Sequence, residues 1–312
     1  MRVIDAHCDL LSKLTEDLSL DIAAANTASD VNIPRLREGG IALQWFAVYL
    51  SQRLGEPRFA QVLKMIDHFY SRVVSQPEVM PVRTRSELDA ALVDGKIGAM
   101  LSLEGADGLE GDLANLRIAW QLGVRAMGVT WNHANWAADG VMEPRGGGFT
   151  AKGKLLLQEC MRLGIILDVS HLAEAGFWEL HETLRGQPFI ASHSNAAAVC
   201  AHRRNLSDGQ IEAIIRVDGR IGITFVPYFV ASERPSIAGV LRHIEHICAL
   251  GGAAQLGFGS DFDGIDEWVP ELASPADYGK LHNELLKYYR ASEVDGFLFR
   301  NWHTFLQNQL PQ

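Results

Sequence analysis

Five residues that could hold a metal ion stand at the ends of short apolar runs. His7 and Asp9 close the run Val3–Cys8, and Glu104 follows Ile97–Leu103. His171 follows Ile165–Val169, and His193 follows Pro188–Ala191. Imidazole nitrogen and carboxylate oxygen together suit a zinc-like divalent ion. Alternate residues of an extended chain point the same way, so His7 and Asp9 can face one ion. Taken alone, His-x-Asp reads equally as a buried ion pair, and a lone histidine after a strand is more often structural. Five such residues at corresponding positions point instead to convergence on one site. Two ligand groups sharing one carboxylate make a binuclear centre, and Glu104 is the natural bridge.

These residues need a scaffold that brings several strand ends together. Eight short apolar runs recur along the chain: the four above and Ile41–Val48, Arg125–Val129, Ile221–Phe225 and Gln255–Gly259. Amphipathic segments alternate with them, at Phe59–Val74, Leu113–Leu122, Lys152–Arg162, Glu174–Leu184, Asp208–Ile215 and Ile237–Leu250. This alternation predicts an α/β fold, a single (β/α)₈ TIM-type barrel whose active groups sit at the C-terminal strand ends. Residues 1–312 are expected to form one metallohydrolase barrel domain, with terminal helices from about residue 270, including Tyr278–Tyr289 and Val294–Phe305. Ser207-Asp208-Gly209-Gln210 has the form of a capping box. Gly123, Gly164, Gly186 and Gly219 are placed for left-handed turns between helix and strand. Gly146-Gly147-Gly148 and Gly257-Phe258-Gly259 lack the rest of a nucleotide fingerprint and read as loop and strand end.

The other histidines carry less. His243 and His246 flank Glu245 on a helix, which is not HExxH, and are expected on a solvated face. His68, His181, His282 and His303 fall on helices away from strand ends. His202 lies in the loop after Pro188–Ala191, near the mouth.

The 312 residues are 47% hydrophobic, enough for a large core, and the formal net charge of −10 speaks against nucleic-acid binding. Cys8, Cys160, Cys200 and Cys248 are widely spaced, which predicts free thiols and excludes a CxxC zinc or redox motif. There is no signal-peptide pattern and no apolar stretch of ~18 residues, so the expected location is cytoplasmic, with no membrane partner. The sequence leaves a homodimer open.

Several longer segments resemble one family. They are Asp5-Ala6-His7-Cys8-Asp9-Leu10, Ser102-Leu103-Glu104-Gly105, Leu167-Asp168-Val169-Ser170-His171, Ser192-His193-Ser194-Asn195, Arg203-Arg204-Asn205-Leu206-Ser207-Asp208 and Gly259-Ser260-Asp261-Phe262-Asp263-Gly264. Their types, order and spacing resemble the membrane dipeptidase (renal dipeptidase) family of binuclear zinc peptidases, within the amidohydrolase-like barrels. The resemblance implies two Zn²⁺ per chain, other divalent ions being compatible. It implies that His7 and Asp9 bind one ion and His171 and His193 the other, with Glu104 bridging. By the same resemblance Arg204 holds the dipeptide carboxylate, with Arg203 as competitor, and Asp261 is the catalytic acid/base, with Asp263 as competitor.

One segment departs from the family. Its best-known members bind the reacting carbonyl oxygen through a histidine in the loop after the fourth strand. Aligning Thr130 and Asp139 puts Trp131 at that position, with His133 two residues on as the substrate-binding candidate. The implied reaction is hydrolysis of a dipeptide's peptide bond by a metal-activated bridging water. The rivals are an amidohydrolase acting on another small amide, such as an N-acyl amino acid, and an inactive barrel with a binding role.

Overall fold

The computed structural model describes residues 1–312. Nine strands appear in chain order: β1 (Val3–Asp5), β2 (Ile41–Tyr49), β3 (Val79–Pro81), β4 (Ile97–Glu104), β5 (Val124–Gly128), β6 (Ile166–Asp168), β7 (Ile190–Ala191), β8 (Arg220–Ile223) and β9 (Leu256–Phe258). All pair in parallel, in the order β2-β1-β9-β8-β7-β6-β5-β4-β3, and β2 also pairs with β4. That last pairing, from Leu43↔Gly98 to Tyr49↔Glu104, closes the ring. The result is the expected eight-stranded barrel.

β3 was not foreseen. It pairs with the first residues of β4 (Val79↔Ile97), while β5 pairs with the last ones (Leu101↔Val124). It is an accessory strand outside the ring of eight. Pro81 has no N–H to extend a ladder, which keeps the strand short.

The expected helices are present with small shifts at their ends. Glu174–Leu184 has the expected bounds, whereas Phe59–Val74 is an α-helix to His68 and a π-helical turn over Phe69–Val74. Shorter helices at Leu10–Glu16, Ile33–Glu38 and Arg85–Val93 complete the shell. Ser207 and Gln210 form the expected capping box. Gly123, Gly164 and Gly186 adopt positive φ. At the fourth such turn Asp218 takes the left-handed conformation instead (φ 52°). Gly219 is required there for a different reason: a Cβ would lie 2.1 Å from the Phe189 carbonyl oxygen.

Apolar residues bury both faces of the sheet. The main core of 70 residues includes packing between strands and surrounding helices. A second cluster joins Ile4, Trp45, Met100, Ala126, Ile166 and Ile190 to Phe299, Trp302, Phe305 and Leu306. The C-terminal helix Asn301–Gln309 thus stoppers the barrel at the end opposite the candidate ligands. Gly257 has its reason here, because a Cβ would meet the Trp302 indole at 2.2 Å.

His243 corrects the expectation of a solvated face. It is fully buried. Its Nδ1 accepts from the Ala196 N–H at 3.1 Å and its Nε2 donates to the Val230 carbonyl at 3.0 Å. Burial pushes its pKa down to about 4. His246 is the partly exposed member of the pair and meets Asp208 at 2.7 Å. All four cysteines are unpaired, and no helix is long and apolar enough to cross a membrane.

Candidate metal centre

The barrel gathers the five ligand candidates. His7 and Asp9 follow β1, Glu104 ends β4, His171 follows β6 and His193 follows β7. All five are buried. His7 Nε2 lies 3.4 Å from Asp9 Oδ2 and 3.4 Å from Glu104 Oε2. On the other side, Glu104 Oε1 lies 2.9 Å from His171 Nε2 and 3.8 Å from His193 Nε2. Glu104 therefore sits between two groups, one oxygen toward each. Asp261, three residues beyond β9, joins the His7 group with Oδ1 3.6 Å from His7 Nε2.

Hydrogen bonds aim the imidazoles. His171 Nδ1 donates to Asn132 Oδ1 at 2.8 Å. His193 Nδ1 donates to Ser192 Oγ at 2.7 Å, and Ser192 in turn donates to Asp168. Asp168 also accepts the Ser170 and Ser192 N–H groups, each at 2.9 Å, so it ties the ends of β6 and β7 together. Asp5 does the same across the barrel seam, accepting from the Ser260 N–H at 2.9 Å and the Tyr278 hydroxyl at 3.0 Å. Such outer partners fix ring orientation and tautomer around a metal.

The backbone at the centre is unusual. His171, Asp261 and Asp263 have φ of 69°, 71° and 66°. Non-glycine residues in this region cost energy and collect at functional sites. Gly264 completes the turn: a Cβ there would lie 2.3 Å from Asp9 Oδ2 and 2.5 Å from Asp261 Oδ1. Only glycine lets the chain pass so close to both carboxylates.

The donor set fits divalent cations. With both Nδ1 atoms engaged as donors, the Nε2 atoms of His171 and His193 present lone pairs to each other only 2.9 Å apart. His7 Nε2 and Asp9 Oδ1 are buried with no hydrogen-bond partner. Buried polar atoms left this way are costly unless a cation satisfies them. Burial, reinforced by Arg204, pushes His171 down to about 4, and burial with His7 holds His193 well below its usual range. Neutral imidazole is the form that binds metal. Burial alone would raise Glu104, but His7 and His171 outweigh it and hold the carboxyl well below the usual range.

The two competing pairs separate by position. Arg204 is buried, while its neighbour Arg203 is exposed. The Arg204 guanidinium donates to the His193 carbonyl at 3.2 Å and to Ser194 Oγ at 3.4 Å, and its Nε has no partner. It forms no ion pair, and burial pulls its pKa down. It lines a cavity of about 370 Å³ together with His171 and His202. Asp263 turns away from the ligands: its carboxylate accepts the Asp30 N–H at 2.6 Å and the Val31 N–H at 3.1 Å. Asp261 is pushed up to about 7, mainly by burial, with Asp9 and Glu104 adding and His7 and Arg204 opposing.

The structure does not bring His133 into the ligand cluster. It is exposed, on the rim of a cavity that Glu104 and Trp131 also line. Trp131 lies between Tyr49 and His171, with ring centroids 5.2 Å and 6.1 Å away. Asn132, between Trp131 and His133, is the residue of this loop whose side chain meets the ring of a ligand candidate, His171, and sequence spacing gave no sign of it.

Known proteins share these features. The chain is 36% identical over 235 residues to an uncharacterized protein in the pqqA 5′ region of Klebsiella pneumoniae, covering 70% of this chain and 85% of that one. It is 32% identical over 275 residues to Dipeptidase aclJ of Aspergillus oryzae, covering 82% of this chain and 64% of that one. A metallopeptidase from Rhodobacter sphaeroides, solved with a phosphinate mimic of the dipeptide L-Ala-D-Ala, superposes with a TM-score of 0.91 at 27% identity over 99% of both chains. A dipeptidase of peptidase family M19 superposes with a TM-score of 0.92 at 27% identity, over 100% of this chain and 99% of that one. A sequence model of the membrane dipeptidase family, peptidase family M19, matches residues 1–308, and the chain belongs to that family of metal-dependent dipeptidases.

Proposed function

We propose that this chain hydrolyses dipeptides with two zinc ions, held by His7 and Asp9 on one side, His171 and His193 on the other, and Glu104 between. The observation that carries the reading is one carboxylate, Glu104, set between the partnerless His7 and Asp9 atoms and the facing imidazoles of His171 and His193, with a buried, anion-free guanidinium nearby. Zinc at such a centre supplies Lewis-acid activation of water and of the peptide carbonyl. The chain's own residues do the rest. Arg204 takes the substrate's free carboxylate in a charge-assisted pair, and the His193 carbonyl and Ser194 hold the guanidinium in place. Asp261 accepts a proton from the attacking water and returns it to the leaving nitrogen. Asn132, Ser192 and Asp168 keep the imidazoles of His171 and His193 aimed and in one tautomer. The four free thiols support a reducing compartment, and the cytoplasm as the working location is part of the same proposal.

Elemental analysis of protein purified without chelator is expected to find about two zinc ions per chain. Free dipeptides are expected to be cleaved and N-acyl amino acids to be cleaved poorly. Absence of bound metal, with no activity gained on adding zinc, cobalt or manganese, would sink the reading.

Arg204→Ala is expected to lower kcat/KM for free dipeptides by about one to two powers of ten, the worth of a hydrogen bond to a charged group. Dipeptide amides, which lack the carboxylate, are expected to change little. Equal losses for both substrates would remove Arg204 from that role.

A further inference from the structure

Three cavities meet at the centre. One holds Arg204 and His171, the next holds His171, Asp261 and Glu104, and the third holds Glu104, Tyr49 and Trp131. Shared residues set their order: Arg204 lies on one side of the ligands and the third cavity on the other. A dipeptide with its carboxylate on Arg204 and its peptide bond at the ligands must extend its N-terminal residue toward that third cavity.

The third cavity has about 180 Å³ of space, and half of its sixteen lining residues are hydrophobic, among them Val62, Leu109 and Trp131. Asp107 also lines it. Asp107 lies three residues beyond Glu104, and its Oδ2 accepts from Asn135 Nδ2 at 3.1 Å. Asn135 is anchored in turn, donating to the Val129 carbonyl at 2.8 Å and accepting from the Ala137 N–H at 2.8 Å. Gly105 makes room for the carboxylate, since a Cβ there would lie 2.7 Å from Asp107 Oδ2. Asp107 forms no ion pair within the protein, and burial is the first cause of its raised pKa. A half-buried carboxylate, rigidly placed in a cleft with half its lining hydrophobic and lacking a cation, is a receptor for one.

We propose that this cavity receives the side chain of the dipeptide's N-terminal residue and that Asp107 makes it favour a basic side chain, lysine or arginine. The hydrocarbon stem lies along the apolar wall and the charged head reaches Asp107. A neutral side chain of similar length fills the wall but leaves the carboxylate uncompensated. An acidic one meets Asp107 as a like charge. This inference rests on the dipeptidase reading and on Arg204 as the carboxylate site.

The test compares L-Lys-L-Ala, L-Leu-L-Ala and L-Glu-L-Ala on the zinc-loaded protein. The expected order of kcat/KM is lysine, leucine, glutamate, with lysine ahead of leucine by about one power of ten. Asp107→Asn is expected to erase that ratio, whatever it does to the absolute rates, and Asp107→Ser serves as a second variant should the first not fold. Calorimetric binding of the three dipeptides to chelator-treated protein should keep the same order. Equal values for lysine and leucine in the wild type, or a ratio unchanged in both variants, overturn the role of Asp107. If no dipeptide is cleaved, the hydrolytic reading fails, and the binding order alone then decides the cavity's preference.

Discussion

Asp261→Asn is expected to lower kcat about 10²–10⁴-fold, the range of general acid–base catalysis, with a smaller change in KM. Asparagine has nearly the same shape and tolerates the left-handed backbone that Asp261 adopts at φ 71°. The fold and most of the metal should therefore persist. What is lost is a group that can accept a proton and give it back. Burial and the neighbouring carboxylates push Asp261 up to about 7, and bound cations would draw it lower, so the ionised form is available at neutral pH. Asp263→Asn is the built-in control. Its carboxylate is committed to the Asp30 and Val31 N–H groups, so the variant should lose stability and keep its kcat. The reverse outcome, a normal kcat for Asp261→Asn and a collapsed one for Asp263→Asn, means that the proton travels through the other aspartate.

Glu104→Gln is expected to empty both metal positions, and kcat/KM to fall by about 10³-fold or more, since several kcal/mol of cation chemistry goes with them. Glu104 is the only candidate whose two oxygens face different groups, 3.4 Å from His7 Nε2 and 2.9 Å from His171 Nε2. The amide keeps the volume, but it removes the negative charge between two cations. His171→Ala should instead weaken one position chiefly. Elemental analysis of the two variants beside the wild type reads the difference. Retention of about two ions by Glu104→Gln would remove it as the bridge.

The eight ring strands and the five ligand candidates were legible because both rest on local pattern. Short apolar runs punctuated by helices specify a parallel barrel, and such a barrel places functional groups at strand ends. β3 was not legible, because Val79-Met80-Pro81 carries a proline, which demotes a short apolar run to a turn or a sheet edge. His243 was misjudged although its signal was present. The buried stripe of its helix runs Val240, His243, Ile244, Ile247, and the histidine lies on it at helical spacing. The family resemblance favoured Asp261 over Asp263 and Arg204 over Arg203, but the residue types and spacing alone did not separate them. Adjacent or alternating residues of one type differ only in where an irregular turn points them. Asn132 and Asp107 lay beyond reach for the same reason: each is placed by a loop whose shape comes from long-range hydrogen bonds.

The seam between β1 and β9 has a consequence for how the chain acquires its metals. All five ligand candidates lie between His7 and His193, yet β1 is bounded on one side by β9, where Asp5 pairs with Phe258. During synthesis every ligand therefore leaves the ribosome well before the strand that holds His7 in place. Until Leu256–Phe258 has emerged, the nascent chain is an open sheet with its first and last strands far apart, and joining them is a contact of very long sequence separation. Completion of the His7–Asp9 half is thus a late event, coupled to ring closure. A chain cut after Ala249 would carry every ligand and still fail to build the His7–Asp9 half of the centre.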